Sequence, residues 1–147
     1  MYMTSSFVTG SPLGLRFQSR TARDHMKDVL DAAESGGTAV ITRNRPVAAV
    51  DAGTLEELLA KEAPFEILSS VTDEQIAFWL ADGLVHGVGA DLEEATNDFL
   101  DALLDYAQSW FEDLSRAPNH AHNRLLLLRI ALHAGDREEL ERVVFDD

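Results

Sequence analysis

The sequence predicts an α/β protein in which an N-terminal β-α-β-β-α unit is followed by a small α+β domain. Two observations favour this fold class. Short β-rich runs are separated by turn and helix-capping residues, and longer segments carry apolar residues at helical spacing. With 46% hydrophobic and 26% charged residues, the 147-residue chain has the composition of a globular protein and not of a disordered one.

The first three elements are expected to be an arm, a strand and a helix. Residues 1–14 are polar and rich in Gly, Pro and Ser, which is typical of a loose arm, and residues 15–19 follow as a short strand. Thr21 can cap a helix that runs to about Ser35 and ends at Gly36. The expected apolar stripe of this helix is Ala22, Met26, Val29, Leu30 and Ala33.

A β-hairpin and a second helix complete the N-terminal unit. Two β-rich runs, residues 38–42 and 46–50, flank Asn44, which tolerates the left-handed conformation that a tight hairpin needs. Thr54 is the expected N-cap of the second helix, and Glu57 stands at the position that completes a capping box.

Strands followed by helices are expected in the rest of the chain. Residues 65–70, 75–80 and 84–88 are β-rich runs bounded by turn residues. Asp91 caps a long helix over residues 91–115, whose apolar residues recur at helical spacing. Two shorter helices are expected at residues 122–133 and 136–144.

Charge is distributed unevenly along the chain. Residues 1–45 carry a net charge of +2, residues 46–147 carry −16, and the whole chain carries −14. Such an asymmetry indicates two different partners, because a basic segment can meet phosphate whereas an acidic one repels it and attracts a basic protein. No stretch is long and apolar enough to span a membrane, no signal peptide is recognisable and no cysteine is present, so a cytoplasmic protein is expected.

The region from residue 17 to about residue 59 resembles the Phd/YefM family of bacterial antitoxins. Residues 19–23, 34–37 and 40–50 follow the family's order of a helix opened by alanine and arginine, an acidic-glycine helix end and an I-T-R-x-G-x-P-V-A-like hairpin. Asn44 stands near the position of the family's usual glycine, and the hairpin is one residue shorter than in the family's pattern.

The C-terminal part departs from that family, whose antitoxins usually end in a disordered segment that folds on the toxin. Residues 64–147 are too apolar and too regular for such a segment. Residues 87–95 are similar to the strand, glycine-rich turn and L-E-E-A helix opening of HicB-type antitoxins.

The resemblance implies a homodimer that binds operator DNA through a domain at residues 1–62 and a toxin through an acidic domain at residues 64–147. The arginines that match the family's pattern are Arg23 and Arg43, and three further cations lie nearby in the chain. The expected DNA-binding residues are therefore Arg20, Arg23, Lys27, Arg43 and Arg45. The expected partner is a basic toxin, and RNA-cleaving toxins are common partners of such families.

Two kinds of residue are candidates for the toxin surface. The acids of the long helix form either a solvated helix face, a docking surface for a basic toxin or, least favoured, catalytic pairs. The large aromatic residues belong either to the core or to an interface, where aromatic side chains often anchor a partner. The expected toxin-binding residues are Trp79, Glu94, Asp98, Asp101, Asp105 and Trp110.

Other functions find less support in the sequence. His120 and His122 lack further ligands at a usual zinc spacing, so neither a metal nor another cofactor is expected. No nucleophile stands with a base and no phosphate-binding loop is present, so an enzyme is not expected. The alternative is a stand-alone transcriptional regulator whose C-terminal domain senses a ligand or a protein. A short basic reading frame beside this gene would favour the antitoxin.

Overall fold

The computed structural model describes residues 8–11, 14–113 and 123–146. The strands are β1 (Val8–Ser11), β2 (Gly14–Gln18), β3 (Thr38–Thr42), β4 (Pro46–Ala49), β5 (Ile67–Val71), β6 (Ile76–Leu80) and β7 (His86–Gly89). The helices are α1 (Ser19–Ala22), a 3₁₀ helix (Arg23–His25), α2 (Met26–Glu34), α3 (Ala52–Glu62), α4 (Leu92–Glu112), α5 (Arg124–His133) and α6 (Arg137–Phe145). These elements fall into two compact units, unit 1 (Met1–Leu55) and unit 2 (Glu56–Asp147), and the division lies within α3.

Unit 1 contains a four-stranded sheet in the order β1-β2-β3-β4. Strands β2 and β3 are parallel, and the helices between them form the crossover that a parallel pair needs. The other two pairings are antiparallel. The expected strand-helix-strand-strand order is therefore present, but it is preceded by β1, which lies where a loose arm was expected.

The core of unit 1 is small and lies between the sheet and the helices. Its buried members are Phe17, Ala22, Val29 and Ala39. The expected apolar stripe is only partly correct, because the side chains of Met26 and Leu30 are 48% and 50% exposed. These two residues are one helical turn apart on α2, so they form an exposed apolar pair on that helix.

The helix boundaries in unit 1 differ from expectation at the start and agree at the end. The helical segment begins at Ser19, directly after β2, so the expected N-cap at Thr21 is wrong; Thr21 is a buried residue inside α1. The end at Gly36 is confirmed by its φ of +92°, a conformation that glycine adopts without strain.

The hairpin loop and the start of α3 also differ from expectation. Residues 43–45 form the three-residue loop between β3 and β4 that the two β-rich runs predict, but the conformation expected of Asn44 is wrong. No non-glycine residue in the described ranges has a positive φ, so Asn44 is not left-handed. The side chain of Asp51 accepts a hydrogen bond from the Thr54 N–H at 2.9 Å, so Asp51 and not Thr54 caps α3.

Unit 2 contains an antiparallel sheet in the order β5-β6-β7, and α4 packs on one of its faces. Two glycines of β7 permit this packing. A Cβ atom on Gly87 would lie 2.3 Å from the backbone nitrogen of Phe99, and one on Gly89 would lie 2.2 Å from that of Ala95. The backbone of β7 therefore touches the backbone of α4, which no other residue type allows.

Alternation along the strands sorts the side chains of this sheet into two faces. Phe78 pairs with Gly87 and contacts the ring of Phe99, so it lies on the face that α4 covers. Trp79 is the next residue, pairs with Leu68 and His86, and therefore lies on the opposite face. We call this opposite side the outer face of the unit 2 sheet.

The three C-terminal helices close the core of unit 2. The N-cap expected at Asp91 is confirmed, because its side chain accepts a hydrogen bond from the Glu94 N–H at 2.8 Å. Asp136 caps α6 in the same way at 3.2 Å. Buried members of this core include Phe65, Leu80, Phe99, Leu103, Trp110, Leu127, Ile130 and Leu140. No helix in the described ranges is long and apolar enough to cross a membrane.

Candidate functional site

Three of the predicted DNA-binding arginines follow two neighbouring strand ends in unit 1. In the parallel pair β2–β3 the last residues, Gln18 and Thr42, are register partners. Arg20 follows the first of these ends, and Arg43 and Arg45 follow the second. Because the carboxyl ends of parallel strands meet at one edge of a sheet, the fold brings these three exposed arginines to the same end of unit 1.

The other two predicted cations lie farther along the helical segment. Arg23 is exposed in the 3₁₀ helix, about one turn after Arg20. The Lys27 ammonium donates a hydrogen bond to the Asp31 carboxylate at 2.6 Å. This bond and the charge of Asp31 raise the pKa of Lys27, so its positive charge is already paired within the helix. Lys27 is therefore the least available of the five cations.

The predicted acidic residues of unit 2 share the exposed side of α4. Their spacing of four, three and four residues places them in one stripe along the helix. The stripe consists of Glu94, Asp98, Asp101 and Asp105. The side chains of Glu94 and Asp105 are exposed and have no partner among the described residues.

The other two acids of the stripe already have partners. Asp98 accepts a hydrogen bond from the backbone N–H of Val88 at 2.8 Å, at the outer edge of β7. Asp101 accepts a hydrogen bond from the Arg137 guanidinium of α6 at 2.6 Å. Both carboxylates therefore hold neighbouring elements to α4.

The two tryptophans in the predicted toxin surface lie in different surroundings. Trp110 is only 6% exposed and belongs to the core of unit 2, because it lies on the apolar side of α4. Trp79 is half-buried on the outer face of the sheet, away from α4. The fold thus separates Trp79 from the acidic stripe and leaves Trp110 with little surface to offer.

Unit 2 contains a buried ion-pair network that was not predicted from the sequence. The Arg129 side chain is 1% exposed, and its Nε donates to Glu56 Oε1 at 2.8 Å. Its Nη1 donates to the Ala63 carbonyl at 3.0 Å, and its guanidinium lies 4.6 Å from the ring centre of Phe65. Arg129 interrupts an apolar run, which is a signal of burial with a partner, but a partner 73 residues away is not visible in the sequence.

His133 extends this network by one helical turn. Its Nε2 lies 2.8 Å from Glu56 Oε2, and its Nδ1 lies 3.3 Å from Glu139 Oε2 without a hydrogen bond. Burial raises the pKa of Glu56, but the hydrogen bonds from Arg129 and His133 outweigh it, so the pKa of Glu56 lies below its ordinary value. The Glu56 carboxylate is therefore held ionised between the Arg129 guanidinium and the His133 imidazole.

The network joins Glu56 of α3 to Arg129 and His133 of α5 within unit 2. No three His, Cys, Asp or Glu side chains in residues 8–11, 14–113 and 123–146 are grouped to hold a metal ion. His120 and His122, which were weighed as metal ligands, lie outside the described residues.

Comparison with known proteins agrees with the resemblance inferred from the sequence. The PHD-like family model, described as the antitoxin of the RelE/RelB toxin-antitoxin system, matches residues 15–145. No curated protein sequence matches the chain. A crystal structure from Syntrophomonas wolfei subsp. wolfei, described as the antitoxin part of a proposed toxin/antitoxin system, superposes with a TM-score of 0.62 at 18% identity. The match covers 87% of this chain and 94% of the other, and it shows a shared fold. Because the family match spans both units, the chain belongs to the PHD-like family of antitoxins.

Proposed function

We propose that this protein neutralises a cognate toxin by direct binding through unit 2 and represses its own operon by binding operator DNA through unit 1. It would act in the cytoplasm and without catalytic activity. The observation that carries the proposal is the separation of charge between the two units of a chain from an antitoxin family. Unit 1 holds six basic and five acidic residues, whereas unit 2 holds six basic and 21 acidic residues.

The DNA-binding surface would be the end of unit 1 that carries Arg20, Arg43 and Arg45. Exposed arginines there can contact phosphates on the DNA backbone, and Arg23 on the adjoining helical turn would extend the contact. One copy offers few cations, so two copies side by side would be needed for useful affinity.

A homodimer through unit 1 is supported by apolar side chains that the single copy leaves exposed. Met26 and Leu30 on α2 and Val47 on the edge strand β4 are each about half exposed. Exposed apolar neighbours such as Met26 and Leu30, one turn apart on α2, are typical of an interaction site, and Val47 is a further apolar side chain on an open strand. Burial between two copies would remove them from water.

Operator binding is tested by single arginine substitutions. Arg23→Ala and Arg43→Ala are each expected to weaken binding about tenfold and to reduce the salt dependence, because each removes a cation that displaces a counterion from phosphate. Gel-shift titrations at several salt concentrations measure both effects. Lys27→Ala should matter less, since Asp31 already pairs with that ammonium. Arg124→Ala in unit 2 is the control, and unchanged affinity in both unit 1 variants would contradict the proposal.

Toxin binding through unit 2 is supported by its net charge of −15 and by the exposed carboxylates of Glu94 and Asp105. A basic toxin would be attracted over a long range, and such charges raise the association rate more than they set the final affinity. Trp79, half-buried on the outer face of the sheet, would supply an aromatic contact at a separate position.

Co-expression with the protein encoded by the neighbouring reading frame tests toxin binding. A stable complex of defined mass is expected, together with protection of the cells. The Glu94→Gln/Asp105→Asn variant should associate several-fold more slowly at low salt and nearly normally at high salt. Asp24→Asn/Glu34→Gln changes the charge of unit 1 by the same amount and is the control. Absence of any complex with the wild-type chain would overturn the proposed neutralisation.

A further inference from the structure

The hydrogen bonds at both ends of the β5–β6 pair show which backbone groups of β5 face outward. At one end the Ala81 N–H donates to the Glu66 carbonyl at 2.8 Å, and at the other the Thr72 N–H donates to the Gln75 carbonyl at 2.9 Å. In an antiparallel pair, alternate residues bond to the neighbouring strand. The even-numbered residues from 66 to 72 therefore face β6, and the odd-numbered residues between them face away.

The outward residues of β5 are Ile67, Ser69 and Val71. Each presents one N–H donor and one C=O acceptor at the edge of the sheet, and none of these groups has a partner among the described residues. Val71 is 71% exposed, so the strand is also accessible from solvent. This edge is a continuous template for one more strand.

The opposite edge of the same sheet is less available, because one of its outward N–H groups already has a partner. The backbone N–H of Val88 in β7 donates to the Asp98 side chain of α4, and Gly87 and Gly89 place β7 against the backbone of that helix. Soluble proteins usually protect an open edge with a charged residue, a proline or a bulge. Residues 67–71 contain no charge, proline or glycine, so β5 lacks these protections.

An added strand would also find an apolar surface beside it. Leu68 is 48% exposed on the outer face of the sheet, where its strand neighbour is Trp79. Every second side chain of a segment docked on β5 would lie on this outer face beside Leu68. Main-chain hydrogen bonds to β5 would then give affinity, and these side-chain contacts would give specificity.

Charge indicates which molecule pairs with this edge. Glu66 lies before β5, and Asp73 and Glu74 follow it. An antiparallel pair of two β5 strands centred on Ser69 would place Glu66 of each copy opposite Thr72 of the other, one residue from Asp73, within units that each carry a net charge of −15. Like charges so placed oppose pairing, whereas lysine or arginine beside an extended segment would be attracted to both ends.

We propose that the open edge of β5 is the docking site for an extended, basic segment of the toxin, which adds to the unit 2 sheet as a fourth strand. This inference rests on the proposed toxin neutralisation and names the surface through which it occurs.

Removal of a single backbone donor, the Ser69 N–H, tests whether the toxin segment pairs with β5 as a strand. The Ser69 N–H faces away from β6, so Ser69→Pro removes an outward donor without breaking the β5–β6 ladder, and a proline is tolerated at an edge strand. Ser69→Ala keeps the donor and is the matched control. With the purified product of the neighbouring reading frame, Ser69→Pro should weaken binding by about tenfold or more, whereas Ser69→Ala should stay within about twofold of wild type.

Two further measurements keep the test decisive. Val71→Pro and Val71→Ala repeat the comparison at a second outward residue, and urea unfolding of each variant identifies any that fails to fold. In the wild-type complex, hydrogen exchange at the Ser69 and Val71 amides should slow markedly compared with the free chain.

Each outcome has a defined meaning. Equal toxin affinity for the folded proline variants, or unprotected amides in the complex, would overturn the edge proposal while leaving neutralisation intact. Loss of self-association in the proline variants with unchanged toxin affinity would assign the edge to a second copy and also overturn it. Failure of the wild-type chain to bind would overturn the proposed function itself.

Discussion

At the scale of single residues, the clearest dependence in unit 2 is that of Arg129 on Glu56. A guanidinium that is 1% exposed has lost nearly all its hydration, so its charge must be compensated by nearby acceptors. Glu56 supplies the opposite charge, and the Ala63 carbonyl supplies a further acceptor. The same carboxylate also holds His133, so one acidic residue on α3 fixes two side chains of α5.

Glu56→Gln tests this dependence, because it keeps an acceptor and removes the charge. We expect the free energy of unfolding at pH 7 to fall by about 2 kcal/mol. The folded-state pKa of Glu56 is lowered, so its contribution is present above the ordinary value of 4.5 and is lost as the pH falls through the lowered pKa. The difference between wild type and variant should therefore shrink below about pH 4.5. Urea unfolding at several pH values measures it, with the exposed neighbour Glu57→Gln as the control.

A difference that stays constant from pH 7 to pH 3 would show that the ionised carboxylate is not what stabilises unit 2. The sequence places Arg129 and His133 one helical turn apart and so predicts that they share a face of α5. It does not predict Glu56 as their partner, because a contact across 73 residues depends on the packing of the whole unit.

At the scale of elements, the close approach of β7 to α4 depends on two glycines, Gly87 and Gly89, which have no Cβ atom. Gly87→Ala or Gly89→Ala would place a Cβ atom within 2.3 Å of the α4 backbone, which is far inside contact distance, so strand and helix must separate. We expect each variant to lose roughly 2–4 kcal/mol of unfolding free energy. Thermal or urea unfolding measures the loss.

Gly135→Ala is the matched control, because a Cβ atom there has no neighbour within 4 Å. A stability change in Gly87→Ala no larger than in this control would contradict the backbone contact.

Elements were predicted best where one periodicity runs without interruption. The long apolar repeat and the capping Asp91 predict α4 to within a few residues of its observed ends. The N-cap expected at Thr21 was wrong because helical geometry starts directly at the end of β2, so the tertiary path of the chain prevails over a local capping preference. The strand β1 was missed because its polar residues pair with β2 without a β-rich pattern of their own.

At the scale of the whole molecule, α3 determines where the chain can be divided. The predicted domain boundary near residue 63 would leave Glu56 and Leu59 in the first piece, although Glu56 pairs with Arg129 and belongs to unit 2. A fragment from Asp51 to Asp147 keeps α3 with its cap, whereas one from Pro64 to Asp147 leaves the Arg129 charge without its carboxylate.

We therefore expect the fragment of residues 51–147 to unfold cooperatively, and the fragment of residues 64–147 to be less stable by about 3 kcal/mol or more. Circular dichroism during urea unfolding distinguishes them. Equal stability would show that α3 contributes little to unit 2. The toxin-binding test is accordingly best made with the full chain or with the longer fragment.

The unequal charge of the two parts of the chain, by contrast, could be predicted from the sequence, because it depends only on the order of the residues. Which charges remain free could not be predicted that way. Lys27, Asp98 and Asp101 each have a partner that the fold supplies, and this leaves a smaller set of residues for DNA and toxin than the sequence indicates.

The hydrogen bond between Val88 and Asp98 has a consequence for solubility. A sheet that can accept a neighbour on both sides can grow without limit into a fibril. In this sheet an outward N–H of β7 is already bonded to α4, so a strand added on that side would find one donor fewer, and association is favoured at β5. The Asp98 carboxylate thus works against growth of the sheet from its second edge.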